Sequence, residues 1–325
     1  MRIHSLDGLR GLLSSLIILH HVDLGLGLNP LIYTIQNYSQ YAVDLFFVLS
    51  GFVIAKKYLF SEYSPIDFMK KRFIRLYPLH LLFALAYFIL ESIAYHLLPD
   101  IVNFDPLGQR LFQLLDSILL TNSIPIFGAG AGANPISWSI SAEFVVYFIF
   151  CFFLLKKRKL HYPLILSVIL ILGLYSSLLY GFEATGSGFG RALFGFFLPI
   201  IGVISNKGYL LIIQFILLLI MFNFEQFIFQ GFLPIIVFLL IKLTERSEYI
   251  ILNNKVVNFL GKISYSMYLS HLIIVKVLNN FLLNYFNPLM TFTILFIICI
   301  IIGWLVYEYI EKNSIKLARL ILLKS

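Results

Sequence analysis

Residues 288–311 read PLMTFTILFIICIIIGWLVYEYIE, an almost unbroken apolar run. As an α-helix rising ~1.5 Å per residue, about 20 such residues cross the ~30 Å hydrocarbon core of a bilayer. Working outward from this run, the same window finds others at about 262–284, 227–243, 208–223, 190–206, 161–181, 136–155, 76–98, 41–58 and 10–28. The pattern predicts an all-α, polytopic integral membrane protein of about ten transmembrane helices, with a single membrane-embedded domain over 1–325. The first run passes His20 and His21 without a small-residue cleavage site, so it is expected to stay as a helix. The stretch 107–123 is apolar but short and carries Gln109, Arg110, Gln113 and Asp116. Bracketed by Pro99, Pro106, Pro125 and Pro135, it reads as an interfacial or re-entrant segment, followed by a flexible loop at 128–133.

Composition agrees. The 325 residues are 60% hydrophobic and 12% charged, with mean hydropathy +0.92. A water-soluble domain carries about 25% charged residues and could not hide this much apolar surface. The net charge of +8 would suggest nucleic acid in a soluble protein, but here it is spread over short segments between apolar runs. With the N-terminus in the cytoplasm, 21 of the 24 Lys and Arg fall on the inner side, leaving Arg110, Arg191 and Lys276. That asymmetry supports an even number of spans and two cytoplasmic termini. No internal repeat is visible, which disfavours a transporter built from inverted repeats. Cys151 and Cys299 lie inside apolar runs without metal-ligand spacing, so neither a disulfide framework nor a metal is expected.

Ionisable residues inside spans are costly and therefore informative. Arg10 and His21 are eleven residues apart, almost three helical turns, and share a face with Ser14 between them. His20 points about 80° away, so helical phase favours His21 as the working imidazole. Its rise places it roughly 16 Å above Arg10, near mid-membrane. Asp44 opens the second run from the outer side, where it can orient or charge-stabilise the imidazole. Gly51, on the same face, suits close helix packing. Arg72 and Arg75 are three apart where the third span enters from the cytoplasm. Two guanidiniums there can clamp phosphates or anchor the helix to anionic lipid. The fourth run brings in Trp138, Ser139 and Glu143 from outside, with Ser139 and Glu143 on one face, and the ninth holds His271. Taken singly, His21 and His271 read equally well as packing histidines and as site residues. Taken together, a basic pair at the inner mouth, a mid-depth histidine and two outer carboxylates suit a phosphate-bearing donor inside and an acceptor outside.

These residues also carry a family pattern. Leu6-Asp7-Gly8-Leu9-Arg10-Gly11 with His21, the stretch Asp44 to Phe52, Arg72-x-x-Arg75 before Tyr77-Pro78, Trp138-Ser139-x-x-x-Glu143, Ser264-Tyr265-x-x-Tyr268-Leu269-x-His271 and Tyr307 to Lys312 follow in order. Over residues 5–312 the chain resembles the acyltransferase-3 family of bacterial membrane O-acyltransferases, in its stand-alone form without an esterase-like domain. It departs from the family in having Glu143-Phe144 where two acidic residues are common, and His20-His21 where a single histidine is.

The resemblance implies transfer of an acyl group, usually acetyl, from acetyl-CoA to a hydroxyl of a cell-surface or exported glycan at the bacterial cytoplasmic membrane. The expected cofactor-binding residues are Arg10, Arg72 and Arg75. The expected catalytic residues are His21, Asp44 and Glu143, with Ser139, His271 and Tyr77 as further site residues. The expected partners are acyl-CoA, the glycan acceptor at the extracytoplasmic side and the lipid bilayer, without nucleic acid. His21 is read as a general base, or else His21 or a serine is transiently acylated. A proton-coupled transporter of a glycan or small solute would use the same buried groups but need no CoA, and a structural or sensory protein would tolerate loss of both arginines.

Overall fold

A computed structural model of the chain describes residues 4–22, 24, 30–59, 61, 63–97, 106–124, 126, 132–153, 169, 186–205 and 254–322. The expected spans at 161–181, 208–223 and 227–243 lie outside them, apart from residue 169. The described residues are helical, with no strand among them. The helices are α1 (His4–His21), α2 (Pro30–Tyr38), α3 (Ala42–Tyr58), α4 (Pro65–Leu97), α5 (Leu107–Leu119), α6 (Trp138–Phe153), α7 (Gly186–Ser205), α8 (Lys255–Leu283), α9 (Pro288–Val306) and α10 (Lys312–Leu322). Among the described residues, four stretches are long and apolar enough to cross a membrane: Pro30–Tyr58, Pro65–Leu97, Lys255–Leu283 and Pro288–Ala318.

Three boundaries differ from the sequence expectation. The first helix stops at His21 instead of running to residue 28. Val22 and Leu24 already lie outside it. His21 therefore stands at a helix end, not partway along a longer span. Residues 30–38 are helical where an outer loop was expected, because Pro30 supplies a preorganised helix start. The third span begins at Pro65, so Arg72 and Arg75 lie within α4, which continues through Pro78.

The chain forms two compact units. The first comprises residues 1–46 and 239–316, the second 47–238 and 317–325, so α3 contributes to both. The first unit is built on α1 and α8, which meet backbone to backbone. A Cβ on Gly261 would fall 1.8 Å from the Asp7 carbonyl oxygen, and one on Gly11 would fall 2.6 Å from the Gly261 nitrogen. Asn254 caps α8 by accepting from the Val256 N–H at 2.9 Å. Asn287 caps α9 in the same way, accepting from the Met290 N–H, so the short turn at 284–287 folds α9 back on α8. Ile18, Val22, Ile263, Met267, Leu295 and Cys299 are buried together between these three helices.

The second unit has an aromatic core. Phe68 lies 5.1 Å from Tyr58 and 5.7 Å from both Tyr147 and Phe150, while Phe196 lies 5.7 Å from Tyr147. Gly51 brings α3 against α7, since a Cβ there would fall 1.9 Å from the Phe196 carbonyl oxygen. The stretch from 107 folds back along α4. Arg110 on α5 donates to Ser92 Oγ and covers the Tyr95 ring, far along α4. The other end of α5 returns to the middle of α4, where Tyr77 donates to the Ile118 carbonyl and His80 Nε2–H to the Ser117 carbonyl. The helix ends at Leu120 in the left-handed conformation (φ 58°), and its polar tip docks on the start of α6. There Asn122 donates to Ser137 Oγ at 2.8 Å, and Ser123 and Ser141 hydroxyls meet at 2.9 Å. Buried polar groups survive in an apolar bundle only when hydrogen-bonded, so this tip fixes where α6 begins.

The glycine contact makes a sharp prediction. Gly261→Ala should destabilise the protein by roughly 1–3 kcal/mol, because backbone cannot yield as a side chain can. Gly108→Ala, where a methyl group meets nothing within 4 Å, should be neutral or slightly stabilising. Thermal denaturation of both variants in detergent, beside wild type, checks it.

Candidate functional site

In the first unit, α1 delivers two histidines with different destinations. His20 turns to α2, where its Nδ1–H donates to the Gln36 carbonyl at 3.2 Å. Gln36 in turn donates from Nε2 to the Val22 carbonyl at 2.6 Å, covering a carbonyl left over at the end of α1. His21 turns to α8. Its Nδ1 lies 2.9 Å from the Ile17 carbonyl oxygen and 3.3 Å from His271 Nε2. The two rings meet edge-on, with centroids 5.0 Å apart.

The protons follow from chemistry. A carbonyl oxygen only accepts, so the nitrogen facing it carries the hydrogen. His21 is therefore Nδ1–H, and His271, whose Nδ1 lies 2.5 Å from the Tyr268 carbonyl oxygen, is Nδ1–H as well. Neutral His271 then presents a lone pair at Nε2 toward His21 Nδ1–H. Neutral His21 keeps its own lone pair at Nε2, which has no hydrogen-bond partner among the described residues.

The sequence pointed to Asp44 as the group behind His21. Asp44 is buried in the first turn of α3, in this same unit, but the hydrogen bonds of His21 run to Ile17 and His271. The physical reason is that α1 and α8 are in register at the glycine contact and carry both rings to one level. Arg10 pairs with Asp7 at 3.3 Å on a partly exposed turn.

The second unit holds a carboxylate cluster. Glu143 Oε1 accepts from Ser50 Oγ at 2.7 Å and from the Tyr147 hydroxyl. Arg72 lies beside it in an aromatic box, its guanidinium 5.2 Å from the Phe68 ring, 5.4 Å from Tyr147 and 5.8 Å from Tyr58. Neither Arg72 nor Arg75 has a carboxylate partner among the described residues, and the Nε of each is buried without an acceptor. Ser139 turns its hydroxyl to the Ile136 carbonyl at 3.1 Å, and Tyr77 is occupied with α5. Trp138 carries the Arg191 guanidinium 5.2 Å above its ring. Ser50 and Tyr147 were not among the residues singled out from sequence. Tyr147 was legible as the residue four beyond Glu143 on one helical face. Ser50 carried no such signal, being 93 residues away.

Four described stretches long and apolar enough to cross a membrane mark a helical protein of membrane type. Residues 3–308 match the acyltransferase-3 family, described as an acyltransferase domain. The chain belongs to this family and is an acyltransferase. It is 35% identical over 154 residues to "Protein 2 in picA locus" of Rhizobium radiobacter, covering 43% of this chain and 76% of that protein. It is 36% identical over 128 residues to "Acyltransferase MdmB" of Streptomyces mycarofaciens, covering 39% of this chain and 31% of that one. It is 29% identical over 131 residues to the "O-acetyl transferase" of Shigella phage Sf6, covering 40% and 39%. No solved structure matches the chain.

The shared carboxylate predicts coupled losses. Ser50→Ala and Tyr147→Phe each remove one donor to Glu143 and should each cost about 1–3 kcal/mol. In a background where Glu143 is already Ala, the same two changes should cost much less. A double-mutant cycle read by thermal denaturation checks this.

Proposed function

We propose that the chain is a membrane O-acyltransferase of about ten spans, with both termini on the cytoplasmic side of a bacterial inner membrane. It moves an acetyl group from acetyl-CoA to a hydroxyl of a cell-surface or exported glycan. The observation that carries this reading is the pinned tautomer of His21. With Nδ1–H held by the Ile17 carbonyl, Nε2 keeps the lone pair that a general base needs.

In this reading the acceptor hydroxyl attacks the thioester carbonyl while His21 Nε2 takes its proton. The C–S bond breaks as the ester C–O bond forms, and the proton passes from the imidazolium to the departing CoA thiolate. Asp44, in the same unit, or Glu143 stabilises the imidazolium. Glu143, held by Ser50 and Tyr147, is the second acidic group assigned to catalysis. Arg72 and Arg75, with Arg10, bind the CoA phosphates. Two guanidiniums without a carboxylate partner among the described residues, one of them boxed by aromatic rings, support an anionic ligand. The printed name of the Sf6 relative supports acetyl as the group and oxygen as its acceptor. The glycan rests on the family resemblance.

The test is transfer of labelled acetyl from acetyl-CoA by purified protein in nanodiscs, with label counted on protein, on hydrolysis products and on added host glycan. His21→Ala should bind acetyl-CoA normally and lose at least about 10²-fold in turnover. Arg72→Ala/Arg75→Ala should bind it poorly. A correctly inserted His21→Ala protein that transfers at the wild-type rate sinks the assignment. Failure of wild type with a panel of acyl-CoAs sinks the whole reading.

A further inference from the structure

His271, fully enclosed in α8, is a buried group beside the proposed base that the transfer step leaves unused. We infer that His271 is the positioning residue of His21, its Nε2 lone pair holding the His21 ring through Nδ1–H and taking up the charge that forms there during transfer. The inference rests on His21 being the base.

Three observations carry it. First, the placement is built in. Gly11 and Gly261 touch at one level, and His21 and His271 each follow ten residues later on parallel helices. Both rings therefore rise roughly 15 Å from the contact and meet. Second, the direction of the hydrogen bond is determined. The Tyr268 carbonyl holds the His271 proton on Nδ1, so only the lone pair of Nε2 is left to face His21, 3.3 Å away. Third, His21 Nδ1–H is shared between two acceptors, Ile17 O and His271 Nε2. The carbonyl alone would select the tautomer. The second acceptor stops the ring from turning about its Cβ–Cγ bond.

When Nε2 takes the substrate proton, positive charge spreads to Nδ1–H and the contact with His271 becomes charge-assisted. A carboxylate does this in the familiar hydrolase triads. A neutral imidazole provides the same acceptor without burying a second charge in an apolar bundle, which would carry a large desolvation cost.

A packing histidine would behave differently, and two variants separate the cases. Met and Gln are both unbranched and alike in length, but only Gln brings an acceptor. In the acetyl-CoA assay, His271→Met should lose about 10–10²-fold in kcat, the range of one charge-assisted hydrogen bond, with KM for acetyl-CoA unchanged. His271→Gln should recover most of that loss. Equal losses in the two variants, or wild-type kcat in a correctly inserted Met variant, overturn the inference. If Met fails to insert, His271→Phe replaces it in the comparison. His21→Ala run alongside tells the two levels apart. An inactive His21→Ala with a fully active His271→Met removes only the role of His271. A fully active His21→Ala, or a wild type that leaves acetyl-CoA untouched, removes both.

Discussion

The absence of two side chains, at Gly11 and Gly261, lets α1 and α8 approach until their backbones touch. Between apolar helices in lipid, the hydrophobic effect gives little net attraction, so close van der Waals packing through small residues has to hold the pair. That same contact sets the register. Because the helices are parallel and rise equally, it determines which residues meet one, two and three turns further on, and His21 with His271 is the outermost consequence. Gly303 extends the arrangement, letting α9 lie close to Met267 of α8.

The second unit solves a different problem, how to keep polar groups inside an apolar bundle. Glu143 and Arg72 occupy neighbouring surroundings but are stabilised separately. The carboxylate is satisfied by hydroxyl donors, and the guanidinium by the faces of three rings. The polar tip after α5 adds two hydrogen-bonded pairs, Asn122 with Ser137 and Ser123 with Ser141. The tip in turn anchors the first turns of α6, the helix that carries Glu143.

Motif spacing and tertiary contact contributed unequally to the site. Arg72 and Arg75 were legible as a pair on one helical face, and helical phase and spacing both favoured His21 over His20. The structure gives that distinction its content, sending His20 to Gln36 and His21 to His271. The expected partner of His21 was Asp44, because a carboxylate behind an imidazole is the common solution. Nothing in the spacing of residues 250 apart could have shown that a second imidazole hydrogen-bonds His21. The helical start at Pro30 was obscured by its place between apolar runs, where a loop was expected. The early stop of α1 was hidden because apolar residues continue past it.

By itself, then, the sequence determined the solvent, the helical class and the family. Those properties depend on composition, on apolar run length and on motifs within single helices, all local along the chain. Only the tertiary structure decided which polar groups meet: His21 with His271, Glu143 with Ser50 and Tyr147, and Arg72 with its rings. Those pairings depend on helix register and on how closely backbones approach. Both are set by contacts between residues far apart in sequence, through glycines whose importance shows only when another helix lies against them.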